Sequence, residues 1–153
     1  MASRPPPPLA AQKRIASLRA AVERDPKDVA SWIALGNAYF DLDQKADAVQ
    51  AYGKALELQP DNPDVLTDQG VMYRQLGASD KALANFEKAS SINPKHVQSL
   101  LNLGIVYAQD LKDFDGAIKR WERVIAVAPS SPQASRARAY IEDAKHAKQT
   151  QTK

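Results

Sequence analysis

An all-α fold, built as a solenoid of antiparallel helix pairs, is what this 153-residue sequence predicts, on three observations. Pro26, Pro60, Pro94 and Pro129 recur at spacings of 34, 34 and 35 residues, each just past a helical pattern, where a ring without an N–H ends a helix. Upstream of the last three prolines one skeleton returns: Trp32, Leu35, Gly36, Tyr39, Ala48, Tyr52 and Ala55, then Leu66, Gly70, Tyr73, Ala82, Phe86 and Ala89, then Leu100, Leu103, Gly104, Tyr107, Ala117, Trp121 and Val124. Within each half-unit, as in VASWIALGNAYFDL and KADAVQAYGKALEL, the apolar residues fall at helical spacing, and every break carries Pro, Asp, Asn or Gly.

The elements follow in order. Residues 1–8 hold RPPPP at Arg4 to Pro8 and read as a proline-rich tail, a stiff spacer first and a ligand for an aromatic groove second. Residues 9–25 place Leu18 and Ala21 ahead of Pro26 as the units place their second aromatic and alanine, so a single N-terminal capping helix, half a unit, is expected. Full units span 29–62, 63–96 and 97–131, the last longer by one residue, expected around DLKDFD. Gly36, Gly70 and Gly104 are small where paired helices would meet. A mid-helix glycine costs about 1 kcal/mol relative to alanine, so its recurrence calls for close packing. Residues 132–148, with Ala137, Tyr140, Ile141 and Ala144 among charges, read as a C-terminal capping helix, and 149–153 as a tail. Gln69 stands where the other units have Leu35 and Leu103, so its amide requires a partner: burying it unpaired costs about 1 to 3 kcal/mol.

The order aromatic, Leu-Gly, Tyr, Ala, aromatic, Ala, Pro over residues 29–131 resembles the tetratricopeptide repeat (TPR), in the short regular style of bacterial members. The resemblance implies a right-handed superhelical solenoid whose concave groove is lined by the first helix of each unit. Carried onto this chain, the groove places are Ile33, Asn37, Phe40 and Asp41; Asp64, Thr67, Asp68, Val71, Arg74 and Gln75; and Leu101, Asn102, Ile105 and Gln109. Ile33, Phe40, Val71, Leu101 and Ile105 would form an apolar strip, anchored by Phe40 and Leu101, beside Asp41, Asp64 and Asp68. Some TPR domains clamp the C-terminal carboxylates of chaperones with basic residues and asparagines on these helices. Asn37 matches that clamp, but Ile33, Asp68, Gln98 and Asn102 stand where lysine, asparagine, lysine and arginine are needed, so a chaperone-tail cochaperone is disfavoured.

Composition narrows the function classes. There is no cysteine, hence no disulfide, thiol nucleophile or Cys-based metal site, and no metal or cofactor is expected. The formal charge of +3 divides unevenly: residues 1–24 carry five Lys/Arg against one acid, 25–131 eleven against fifteen, and 132–153 five against two. Bases at the ends rather than along one face argue against nucleic acid. No apolar run is long enough to span a bilayer and MASRPPPPLAAQKR lacks a signal core, so the chain as given reads as soluble, the cytoplasm slightly favoured, with an exported or tethered parent left open. His96 and His146 lie fifty residues apart, no catalytic triad order or phosphate loop is present, and Asp61, Asp64, Asp113 and Asp115 sit at helix starts as capping acids. No catalytic residue is therefore assigned. The expected function is a non-catalytic adaptor that binds a protein or peptide segment in its groove; the alternative is an assembly subunit packing through its convex face or terminal helices, with self-association possible. A C-terminal helix folded back over the groove would compete with the first reading.

Overall fold

The computed structural model describes residues 3–152, so Met1 and Ala2 of the expected N-terminal tail and Lys153 of the C-terminal one lie outside the described residues. Eight α-helices follow one another: α1 Leu9–Arg24, α2 Val29–Asp41, α3 Lys45–Leu58, α4 Pro63–Gln75, α5 Ser79–Ile92, α6 Val97–Ile105, α7 Phe114–Val127 and α8 Pro132–Gln151. No strand occurs among the described residues. Each helix packs on its neighbours in the chain, α4 also touches α6, and α6 touches α8, which is the stacking of a TPR solenoid.

The ends of the helices are written locally. Asp28, Asn62, His96, Asp113 and Ser131 each accept the backbone N–H three residues on and so cap α2, α4, α6, α7 and α8. Of the four acids expected to cap, only Asp113 is the cap residue itself. Asp64 and Asp115 lie inside first turns, where the helix dipole favours them, and Asp61 faces Lys88 at 4.0 Å. The turns joining α2 to α3, α4 to α5 and α6 to α7 each contain one left-handed residue, Asp43 (φ 57°), Gly77 (φ 83°) and Lys112 (φ 57°), of which only glycine enters that region freely.

Packing within a unit follows the glycine–aromatic pairing. A Cβ added at Gly36 would lie 2.5 Å from the Tyr52 ring, one at Gly70 2.6 Å from the Phe86 ring, and one at Gly104 would enter the Trp121 indole. Tyr52, Phe86 and Trp121 are buried, as are Ala48, Ala82 and Ala117 on the same helices. The aromatic ring thus lies directly against the backbone of the facing helix at the glycine, and no larger residue fits there without a shift.

Gln69 is satisfied from both ends. Its Nε2 donates to the Val49 carbonyl at 3.0 Å and its Oε1 accepts from Asn85 Nδ2 at 2.8 Å. Asn85 occupies the place of Ala51 in the first unit and Arg120 in the third. The Leu35–Ala51 contact of the first unit is therefore replaced in the second by a hydrogen-bonded pair.

Two boundaries need correction. The extra residue of the third unit is not taken up in the DLKDFD loop: α6 continues into a π-helical turn, Val106–Asp110, closed by the Leu111 N–H on the Val106 carbonyl at 3.1 Å. Widening one helical turn absorbs an insertion without disturbing the residues on either side. The expected tail at 149–153 is helical as far as Gln151, because nothing between Lys148 and Gln151 interrupts the helix. Helix α8 docks on α7 and α6 through Ala134, Ala137, Ile141 and Ala144, and Tyr140 meets the Trp121 ring at 5.3 Å. It stacks at the end of the array as the first helix of a further unit would, with Ser135, Arg138 and Glu142 turned to solvent.

Candidate functional site: the concave face of α2, α4 and α6

The first helix of each unit sets the register of this face, and the structure divides the predicted residues into an open group, a tied group and a buried group. The open group belongs to the first two units. Ile33 and Phe40 on α2 and Val71 on α4 are half-buried and pack against the core that holds Tyr52 and Met72. Between them Asn37 is exposed, and the Tyr52 hydroxyl donates to its Oδ1 at 2.7 Å. That bond fixes the amide and leaves its NH2 free to donate into the groove, to a carbonyl for example. Burial first, then the charges of Asp68 and Asp41, push the Tyr52 phenol well above its ordinary value, so it stays a neutral donor.

Asp68 is the most perturbed acid of the face. Burial and the neighbouring Asp64 carboxylate push it up to about 6, against a smaller downward pull from His96. Asp64 itself lies 2.8 Å from His96 Nε2. Because His96 Nδ1 accepts the Ser99 N–H at 3.2 Å as the cap of α6, the ring proton belongs on Nε2 and points at Asp64. One imidazole thus joins α4 to α6. The sequence placed His96 at a unit boundary but gave no sign of this pairing.

The tied group lies between the second and third units. Arg74 donates Nε to Asp110 Oδ2 at 2.9 Å and Nη2 to Asp110 Oδ1 at 3.1 Å, and Nη2 also reaches Gln109 Oε1 at 2.7 Å. Asp110 takes a further hydrogen bond from Ser79 Oγ at 3.2 Å. This two-pronged pair is only partly exposed, the geometry in which an arginine–carboxylate contact is strongest. It arises where the π-helical turn lengthens α6, so the one-residue insertion was the available signal for it. Asn102 Nδ2 donates back to the Gln98 carbonyl of its own helix at 2.9 Å, Ile105 is half-buried against the third-unit core, and Gln75 is exposed.

Two expected groove residues are buried and are corrected here. Leu101 is 2% exposed, in a core with Trp121, Val124, Ala137 and Ile141, because α7 and α8 together close over that part of α6. Thr67 is 1% exposed and its hydroxyl donates to the Pro63 carbonyl one turn back. The apolar strip therefore ends short of Leu101, which is no anchor for a ligand. Among the described residues no three of His, Cys, Asp and Glu gather as a metal-binding group, and no helix is long and apolar enough to cross a membrane.

A separate cleft of about 940 Å³ lies on the opposite side, between α1 and α3. Ile15, Val22, Trp32, Leu35 and Tyr39 line it, under a rim of mixed charge in which Arg19 and Lys54 face Glu23, Asp47 and Glu57. The sequence reading did not find it, since it depends on how far α1 stands from α3.

Comparison with known proteins agrees with this architecture. The family described as the cytochrome c-type biogenesis protein H TPR domain matches residues 11–136. The chain is 32% identical over 132 residues to the cytochrome c-type biogenesis protein CycH of Pseudomonas aeruginosa, covering 83% of this chain and 32% of that protein. It thus spans about a third or less of the length of the first curated relatives it matches. Among solved structures, a tetratricopeptide repeat protein from Parabacteroides merdae superposes with a TM-score of 0.78 at 24% identity, over 89% of this chain and 54% of that one. The first TPR of Spaghetti, bound to the HSP90 peptide SRMEEVD, superposes with a TM-score of 0.72 at 22% identity, over 80% and 94%. The fold and the relatives together mark a protein-interaction module, and the chain belongs to the family of cytochrome c-type biogenesis protein H TPR domains.

Proposed function

We propose that this chain is the protein-binding module of a factor in c-type cytochrome biogenesis, and that it holds a segment of a partner polypeptide in the groove formed by α2 and α4. The observation that carries this reading is the open group: Ile33, Phe40 and Val71 form a half-buried apolar row, with the Asn37 amide fixed beside it by Tyr52. Apolar side chains that keep part of their surface open, next to a pre-oriented donor, suit a segment that buries its own apolar residues and offers a backbone carbonyl. The name of the Pseudomonas relative supplies the process, and the peptide-bound neighbour supports a polypeptide as the ligand class.

The test is retention of the native partner from an extract of the source organism by the immobilised chain. Phe40→Ala with Ile33→Ala is expected to lose that partner while circular dichroism stays helical. Equal retention by the double variant would move the site off this groove. The alternative of an assembly subunit has the α1–α3 cleft in its favour, and a molar mass that rises with concentration in light scattering would support it.

A further inference from the structure

Among the groove places of the first two units, every carboxylate stands on the open part and the one cation is spent. Asp41 projects from α2, and Asp64 and Asp68 from α4, whereas Arg74 is committed to Asp110 and Gln109. Asp64 pairs with His96, while among the described residues neither Asp41 nor Asp68 makes an ion pair. Asp41 lies one turn beyond Asn37 on α2 and Asp68 one turn before Val71 on α4, so the two carboxylates flank the row of Ile33, Phe40 and Val71.

We propose that the groove selects a cationic amphipathic segment, which lays apolar side chains on Ile33, Phe40 and Val71 and places a Lys or Arg between Asp41 and Asp68. The inference rests on the groove reading above and adds the chemistry of its ligand. A segment ending in carboxylates is excluded by the same groups, since it would bring like charges together in a partly desolvated site. The raised proton affinity of Asp68 fits this assignment: its ionised form is disfavoured by burial and by Asp64, and a bound cation removes that penalty. A carboxylate that costs the free fold stability and has no internal partner belongs to recognition rather than to structure.

The experiment uses the whole chain and two labelled amphipathic peptides of equal length and identical leucine pattern, one with lysines and the other with glutamates as polar residues, followed by fluorescence anisotropy. The lysine peptide is expected to bind more tightly by about tenfold or more, with an affinity that falls as salt is added. Asp41→Asn with Asp68→Asn is expected to weaken the lysine peptide about tenfold and flatten its salt dependence, whereas Asp47→Asn with Glu57→Gln, on α3, leaves it unchanged. Equal binding of the two peptides, or an unaltered lysine affinity in the Asp41/Asp68 variant, would overturn the proposal. Phe40→Ala separates the two levels. If it abolishes binding while the Asp41/Asp68 variant does not, the groove stands and the charge selection falls; if it has no effect on a peptide that binds, the groove itself is excluded.

Discussion

The two halves of the concave face come from the same repeat and have opposite fates. In the first and second units, Asn37 and Asp41 are exposed, Ile33, Phe40 and Asp68 keep part of their surface open, and the Tyr52 hydroxyl ties Asn37. Between the second and third, Arg74, Gln109 and Asp110 bind one another and Leu101 disappears under α7 and α8. Position in the repeat decides which way a side chain points. Whether it is free to meet a ligand depends on neighbours that the repeat pattern does not specify, here a one-residue π-helical turn and a terminal helix.

The largest effect should come from treating the buried leucine as if it were a groove residue. Leu101→Ala removes a core side chain and is expected to cost about 2 to 5 kcal/mol in urea unfolding, whereas Phe40→Ala, half-buried, costs less and acts mainly on binding. Equal stability losses would erase the distinction between the halves. Gly70→Leu comes next: with Phe86 so close to the glycine, overpacking should cost about 1 to 3 kcal/mol, and an unchanged midpoint would mean that the helix pair can separate to accept it. Arg74→Ala follows. It breaks the clasp between the second and third units and is expected to cost about 1 kcal/mol, which high salt should not abolish because the pair is partly buried.

The last effect is set apart by its sign. In the fold Asp68 holds its proton up to about pH 6, against an ordinary value of 3.8, so the folded state binds more protons than the unfolded state between those values. Stability arising from Asp68 is complete below the lower value and is lost as pH rises through the upper one. Asp68→Asn, neutral throughout, should therefore raise the melting temperature near neutral pH and leave it unchanged near pH 3, where the parent residue is protonated in both states. Asp64 and His96 act on the same carboxyl, so the quantity to read is the difference between variant and parent at each pH. A variant that melts lower than the parent near neutral pH would contradict the assignment of strain to this acid.

Much of the fold was legible because its determinants are local. Prolines end helices whatever surrounds them, and glycine recurring at a fixed offset from an aromatic residue states which backbone the ring lies on. Gln69 was recognisable as a departure, and its partner was also present in the sequence: Asn85 replaces Ala51 at the matching place, so the two substitutions in one unit report one contact. The candidate site was legible only in direction. Asn37, Asp41, Asp68, Ile33 and Phe40 lie on the face that the register implies, but Leu101 is apolar in the register of a groove residue and apolar in the register of a core. Only the docking of α8 decides between them. The His96–Asp64 contact and the Arg74–Asp110 clasp join residues 32 and 36 apart, a separation at which no helical periodicity constrains the pairing.

The central claim, that the open first half of the concave face is where a partner lies, is tested most directly by photocrosslinking in cells of the source organism. A benzoyl-phenylalanine at Phe40 in the open half is compared with one at Gln109 in the tied half and one at Gln50 on α3, beside the α1–α3 cleft. The predicted result is a crosslinked partner from position 40 and none from 109 or 50. A partner captured from position 50 or 109 with nothing from 40 would contradict it.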